Sequence, residues 1–131
     1  TLSVSFEACE ALEQVGGFEA LRGLGALEEL TLDFSASAIR SLLSLGHGLG
    51  GMVRLRTLSM SFRGCQALPS LDGLEELGKL KALRELALDF RESAVQNARG
   101  LGAGLALDAG VGGLARLETL SVGFERCEAL T

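Results

Sequence analysis

One eight-residue phrase returns along this chain, and its regular return limits the fold more than any other feature. Leu27-Glu28-Glu29-Leu30-Thr31-Leu32-Asp33-Phe34 is answered by Leu55-Arg56-Thr57-Leu58-Ser59-Met60-Ser61-Phe62. Leu83-Arg84-Glu85-Leu86-Ala87-Leu88-Asp89-Phe90 and Leu117-Glu118-Thr119-Leu120-Ser121-Val122-Gly123-Phe124 follow. Leu2, Val4 and Phe6 open the series without its first Leu. The step from Leu2 to Leu30, Leu58 and Leu86 is 28 residues each time; from Leu86 to Leu120 it is 34, so six extra residues fall in the fourth unit. A chain written this way builds one small structural unit several times and stacks the copies, because no single copy can bury its own apolar face.

A second period overlays the first. After the Phe, units one, three and five read Cys9-Glu10-Ala11-Leu12, Cys65-Gln66-Ala67-Leu68 and Cys127-Glu128-Ala129-Leu130. Units two and four read Ser37-Ala38-Ile39 and Ser93-Ala94-Val95 at that place, giving a 56-residue super-repeat. Within a unit the rhythm changes. Leu58, Met60 and Phe62 alternate with small polar residues, which is strand spacing with one face buried. It predicts strands near 2–6, 30–34, 58–62, 86–90 and 120–124. Phe18, Leu21, Leu24 and Leu27, and again Leu74, Leu77, Leu80 and Leu83, recur every three residues, which predicts a short helical or 3₁₀ return. Strand, return and the same strand again gives an α/β architecture with a parallel sheet on one side and helices on the other. The ladder Phe6, Phe34, Phe62, Phe90 and Phe124 is expected to stack in the core.

These residues resemble the leucine-rich repeat family, whose motif is LxxLxLxxNxL followed by a helical return. The resemblance is strongest to cysteine-containing repeats, LxxLxLxxCxxI, with Cys65-Gln66-Ala67-Leu68 as the tail. Two departures stand out. Phe62 continues the alternation, so the Cys comes two places late, and Ser replaces Cys in the even units. The resemblance implies one domain over 1–131, a horseshoe segment of about five repeats with the parallel sheet concave and helices convex, and a role in binding other proteins on the concave sheet. Both ends cut through a unit, so the sequence is expected to be a piece of a longer array.

Composition narrows the function classes. The chain has 131 residues, 47% hydrophobic and 22% charged, an ordinary globular balance for a single domain. A net charge of −5 argues against nucleic acid, whose binding rests on clustered Lys and Arg. One Pro and three Cys exclude collagen and a dense disulfide scaffold. The opening residues Thr1 to Phe6 carry no basic, then apolar, leader pattern. The most apolar stretch, Gly100 to Ala115, contains Asp108 and is shorter than the roughly 20 residues of a spanning helix, so no transmembrane segment is expected. Cys9, Cys65 and Cys127 share one repeat position two units apart. At about 4.8 Å per strand that is roughly 10 Å, too far for a disulfide or a shared zinc. Three buried thiols are expected, and reduced thiols point to an intracellular, reducing compartment.

No catalytic, cofactor or metal site assembles from the sequence, and the chain is read as a non-enzyme without a cofactor. Asp33 and Asp89 are two units apart, too far for a dyad, and are expected to be solvated acids. His47 has no nucleophile or orienting acid assigned to it. Gly46, Gly48 and Gly51 fit GxGxxG, but twelve residues after Phe34 rather than at a strand's end. Gly73 to Leu80 resembles a phosphate-binding loop until Leu80 takes the place of its Ser or Thr. What remains is a surface. The open face of the sheet should carry Ser3, Ser5, Thr31, Asp33, Ser59, Ser61, Ala87, Asp89, Ser121 and Gly123, with Arg63 and Arg91 among the charges at its edge. The reading is a protein–protein interaction or scaffold module, as part of a larger assembly, meeting its partner through that face or edge. The alternatives are an enzyme or ligand-binding domain, and a purely structural spacer. The Gly100 to Gly113 insertion is either a second binding feature or a longer, looser return.

Overall fold

The computed structural model describes residues 2–5, 26–42, 48–49, 51–96 and 117–127. Five strands make one parallel sheet: β1 (Leu2–Ser5), β2 (Glu29–Asp33), β3 (Thr57–Ser61), β4 (Glu85–Asp89) and β5 (Thr119–Gly123). They lie in sequence order, each beside the next. The register follows the repeat, with Leu2, Leu30, Leu58, Leu86 and Leu120 aligned across the sheet. The six extra residues of the fourth unit therefore fall in the connection, and β4 meets β5 without a slip. A one-residue slip would turn every apolar side chain outward, so the buried face pins the pairing.

Burial alternates as the spacing requires. Leu30, Leu32, Leu58, Met60, Leu86 and Leu88 are all buried, and the residues between them are half-buried or exposed. The core is completed by side chains from the connections, among them Ile39, Leu42, Leu49, Met52, Leu55, Leu68, Leu71 and Val95. The three-residue rhythm of Leu74, Leu77 and Leu80 is a 3₁₀ helix, Leu74–Lys79, and those three leucines are buried. A 3₁₀ helix has three residues per turn, so residues three apart share one side, and that side is the apolar one. Gly48 and Leu49 are also helical. The equivalent rhythm at Phe18, Leu21 and Leu24, and the Gly100 to Gly113 insertion, lie outside the described residues.

β2 to β5 start and stop one residue earlier than the alternation suggests, and β1 stops one residue earlier. Phe34, Phe62, Phe90 and Phe124 sit just past their strand ends, each with its carbonyl spent on a turn. Phe34 O accepts from Ser37 N at 3.1 Å, Phe62 O from Cys65 N at 3.1 Å, Phe90 O from Ser93 N at 3.2 Å and Phe124 O from Cys127 N at 3.1 Å. The Phe amides still continue the inter-strand bonding: Phe34 N donates to Ser61 O, Phe62 N to Asp89 O and Phe90 N to Gly123 O, at 2.7–2.8 Å. Two residues past each Phe the backbone turns left-handed, at Ala36 (φ 58°), Gly64 (φ 73°), Glu92 (φ 60°) and Arg126 (φ 60°). Only the third unit meets this requirement with glycine, the residue that adopts it without steric cost.

The expected Phe ladder is present from Phe34 to Phe124; Phe6 lies outside the described residues. Phe34, Phe62 and Phe90 are fully buried and stack at 5.3 Å, with interplanar angles of 9° and 5°. Phe124 continues the stack at 5.4 Å but is only half-buried. Cys65 and Cys127 are free thiols, buried and half-buried respectively. Cys9 lies outside the described residues.

Candidate functional site

Strand alternation turns three rows of side chains away from the core. The middle row is Ser3, Thr31, Ser59, Ala87 and Ser121; the row toward the turns is Asp33, Ser61, Asp89 and Gly123, with the Ser5 backbone in register beside Asp33. Ser3, Thr31 and Ser121 are exposed, and Ser59, Ser61, Asp33 and Asp89 are half-buried. The structure thus brings the expected surface residues onto one face. It adds a third row, Glu29, Thr57, Glu85 and Thr119, with both glutamates exposed. Period-two spacing counted back from Thr31 points to this row, and strands begun one residue late miss it. Acidic side chains come from β2 and β4 (Glu29, Asp33, Glu85, Asp89), and hydroxyls from β3 between them.

The two aspartates are not the solvated acids expected from the sequence. Each is half-buried because it caps its own turn. Asp33 Oδ1 accepts from Ser35 N at 2.9 Å and from Ser35 Oγ at 2.5 Å, and that hydroxyl lies 2.8 Å from Ser61 Oγ on the next strand. Asp89 Oδ1 accepts from Arg91 N at 3.0 Å and Arg91 Nε at 2.9 Å, and Oδ2 from Arg91 Nη2 at 2.7 Å. The hydrogen bonds and charge of the Arg91 guanidinium hold the Asp89 carboxyl below its ordinary range, and the same contact raises Arg91. The Arg91 stem crosses Gly123, where an added Cβ would stand 3.3 Å from Arg91 Cγ.

The expected arginine edge is likewise engaged within the chain. Arg63 Nη2 donates to Glu92 Oε1 at 2.7 Å and Arg63 Nε to the same oxygen at 3.2 Å. This bond and charge lower the Glu92 carboxyl. Arg63, Arg91, Glu92, Glu125 and Arg126 surround a small polar hollow of about 150 Å³ at the turn end of the sheet. Arg63 and Arg91 thus each already have an acidic partner within the chain.

Behind this edge the thiols tie neighbouring units together. Cys65 Sγ donates to Phe34 O at 3.1 Å and lies 3.7 Å from Ser37 Oγ. Cys127 Sγ donates to Phe90 O at 2.8 Å and lies 3.6 Å from Ser93 Oγ. Burial pushes the Cys65 thiol above its ordinary pKa, so it stays protonated and unreactive.

Of the two glycine motifs, the one beginning at Gly73 lies within the described residues. Gly73, with φ of 113°, opens the 3₁₀ helix, and Lys79 pairs with Glu76 at 2.6 Å. Gly46 and His47 lie outside the described residues. Among the described residues no group of three His, Cys, Asp or Glu side chains could hold a metal ion, and no helix is long and apolar enough to cross a membrane. In comparisons with known proteins, no protein-family model, no curated protein and no solved structure matches the chain.

Proposed function

We propose that this chain is a non-catalytic, leucine-rich-repeat-like solenoid module that binds a partner protein on the open face of its parallel sheet. The observation that carries the reading is the asymmetry of the sheet. One face is filled by the apolar ladder, and the other presents small polar side chains in register across five strands, with Ser3, Thr31 and Ser121 exposed. Short side chains leave the surface open to close approach, so an extended partner segment can lie across the strands. Glu29 and Glu85, both exposed, give the face acidic character, which favours a partner with Lys or Arg among small polar residues. Convex helices would complete the horseshoe, and the free thiols Cys65 and Cys127 support a reducing, intracellular setting.

A photo-crosslinking amino acid tests the surface. Placed at Thr31 or Ser59 it should capture a discrete protein partner whose recovery falls with added salt. Placed at Val53, which is 58% exposed and outside the strands, it should not. Ser59→Arg should abolish capture from Thr31, whereas Arg63→Glu with Arg91→Glu should leave it nearly unchanged. Capture from Val53 alone, or capture indifferent to Ser59→Arg, would overturn the assignment to this face.

A further inference from the structure

We infer that the residues leading into β3 and β4 form a basic island, Arg54, Arg56 and Arg84, whose ligand is a short acidic segment of a partner protein. The island lies at the opposite end of the strands from Arg63 and Arg91, and it stands whether or not the open face binds. Charge is unevenly written along the chain. Up to Asp33, seven acids stand against one base, Arg22; from Arg54 to Arg84, six bases stand against Asp72, Glu75 and Glu76. A local excess of one sign draws in the opposite charge, even on a chain whose net charge is −5.

Backbone bonds bring two of these arginines side by side. Arg56 N donates to Glu28 O, Arg84 N to Arg56 O and Glu118 N to Arg84 O, each at 2.8 Å. Glu28, Arg56, Arg84 and Glu118 therefore hold one rung position at successive steps of about 4.8 Å, and all four are exposed. Arg54 precedes Arg56 across the fully buried Leu55 and is exposed too. Two like charges at neighbouring positions cost stability. The fold does not ask for them, since units two and five carry Glu at the same place. Other cations are settled within the chain: Lys79 on Glu76, Arg63 on Glu92 and Arg91 on Asp89. Arg54, Arg56 and Arg84 make no such pair among the described residues. The undescribed stretches on either side in sequence, 43–47, 50 and 97–116, hold one acid, Asp108, against Arg99 and Arg116, so they bring no surplus of negative charge. Guanidinium forks match carboxylates with paired hydrogen bonds. The island is two rungs wide, bounded in its row by Glu28 and Glu118, roughly 14 Å apart, and toward the open face by Glu85. A long, uniform polyanion such as nucleic acid would run onto those carboxylates. Two or three neighbouring Asp or Glu side chains of an extended segment fit between them.

The probe is a synthetic peptide, Gly-Ser-Glu-Asp-Glu-Ser-Gly, titrated into the isotope-labelled whole chain at low salt while amide resonances are followed. The amides of Arg54, Arg56 and Arg84 should shift first, and the shifts should shrink with added salt. Arg56→Ala and Arg84→Ala should each weaken binding by roughly two- to fivefold, the range of exposed charge pairs, and Arg56→Glu with Arg84→Glu by roughly tenfold or more. The double variant carries the residue that units two and five already have, so its circular dichroism should match that of the parent chain. Arg63→Glu, the same change of charge at the other end of the strands, should leave binding nearly unchanged. Four results would overturn the proposal: no shift at any amide, shifts centred elsewhere, equal weakening by Arg63→Glu, or a single-stranded oligonucleotide that binds the island more tightly than the peptide. The last would assign the island to nucleic acid instead.

Discussion

Replacing Phe62 with Ala removes the central ring of the stack, and the structure gives the expected cost. The side chain is fully buried, with a parallel ring at 5.3 Å on each side. Truncating a buried Phe costs about 3–5 kcal/mol, from lost transfer energy and the cavity left behind. The upper part of that range applies here, because two stacked pairs worth roughly 0.5–1.5 kcal/mol each are lost together. The cavity also opens between rungs held by backbone bonds on both sides, which limits collapse. Phe124→Ala is the internal comparison: its ring is half-buried with one partner, so roughly half the loss is expected. Without Trp or Tyr the chain lacks the usual fluorescence probes, so urea unfolding is best followed by far-UV circular dichroism. Domains are stable by only about 5–15 kcal/mol, so Phe62→Leu, which keeps much of the apolar volume and should cost less than Phe62→Ala, guards against an unfolded Ala variant. A Phe62→Ala loss below about 1 kcal/mol, or equal losses at Phe62 and Phe124, would refute the burial of the ladder and the register built on it.

The left-handed turn position offers an opposite pair of substitutions. Ala36→Gly should stabilise, and Gly64→Ala destabilise, by about 1 kcal/mol each, balancing the left-handed penalty of a Cβ against the entropy of an unfolded glycine. A Cβ on Gly64 would stand 3.7–3.9 Å from Ala36, ordinary contact, so the backbone alone sets the effect, and changes of the same sign in urea midpoints would contradict it. Stability should also fall at both ends of the pH scale. Asp89 is lowered in the folded chain, so its contribution is present above the ordinary carboxyl value of 3.8 and is lost as pH falls through the folded value. Cys65 is raised, so its contribution is complete below the ordinary thiol value of 9.0 and is lost as pH rises toward the folded value. The unfolding midpoint of Asp89→Asn should show a weaker acid dependence, the remainder including Glu92, and that of Cys65→Ala a weaker alkaline one; unchanged profiles would remove those assignments.

The sheet was legible because its signal is periodic. Leu58, Met60 and Phe62 mark a buried face by alternation alone, and the 28-residue step aligns that face with its copies. The strand ends were less legible, since a Phe that alternates perfectly still leaves the strand once its carbonyl joins a turn. The polar side chains were hardest to place. The sequence puts Arg63 and Arg91 at the edge but does not say that Glu92 and Asp89 reach them first. The first contact depends on which rotamers span the roughly 4.8 Å between neighbouring units and the second on how Arg91 folds back over its own turn, and repeat position alone carries neither.

The 56-residue super-repeat has a physical basis in these polar contacts. Each Ser-type unit reaches onto the Cys-type unit that follows it. In units two and three, Asp33 holds Ser35 against Ser61, and the Cys65 thiol returns to Phe34 O beside Ser37. In units four and five, Asp89 holds Arg91 over Gly123, and the Cys127 thiol returns to Phe90 O beside Ser93. The small residue at Ser61 or Gly123 makes room for the side chain that its neighbour's aspartate positions. The joint from unit three to unit four uses different groups: Arg63 pairs with Glu92, and Gln66 Nε2 donates to Glu92 O. Two Ser-type units side by side would therefore set the side chain held by one aspartate against a second aspartate, in place of Ser61 or Gly123. The apolar ladder is nearly the same in every unit and cannot distinguish one joint from another. The alternation resides in the polar rim, where it fixes which rung may follow which.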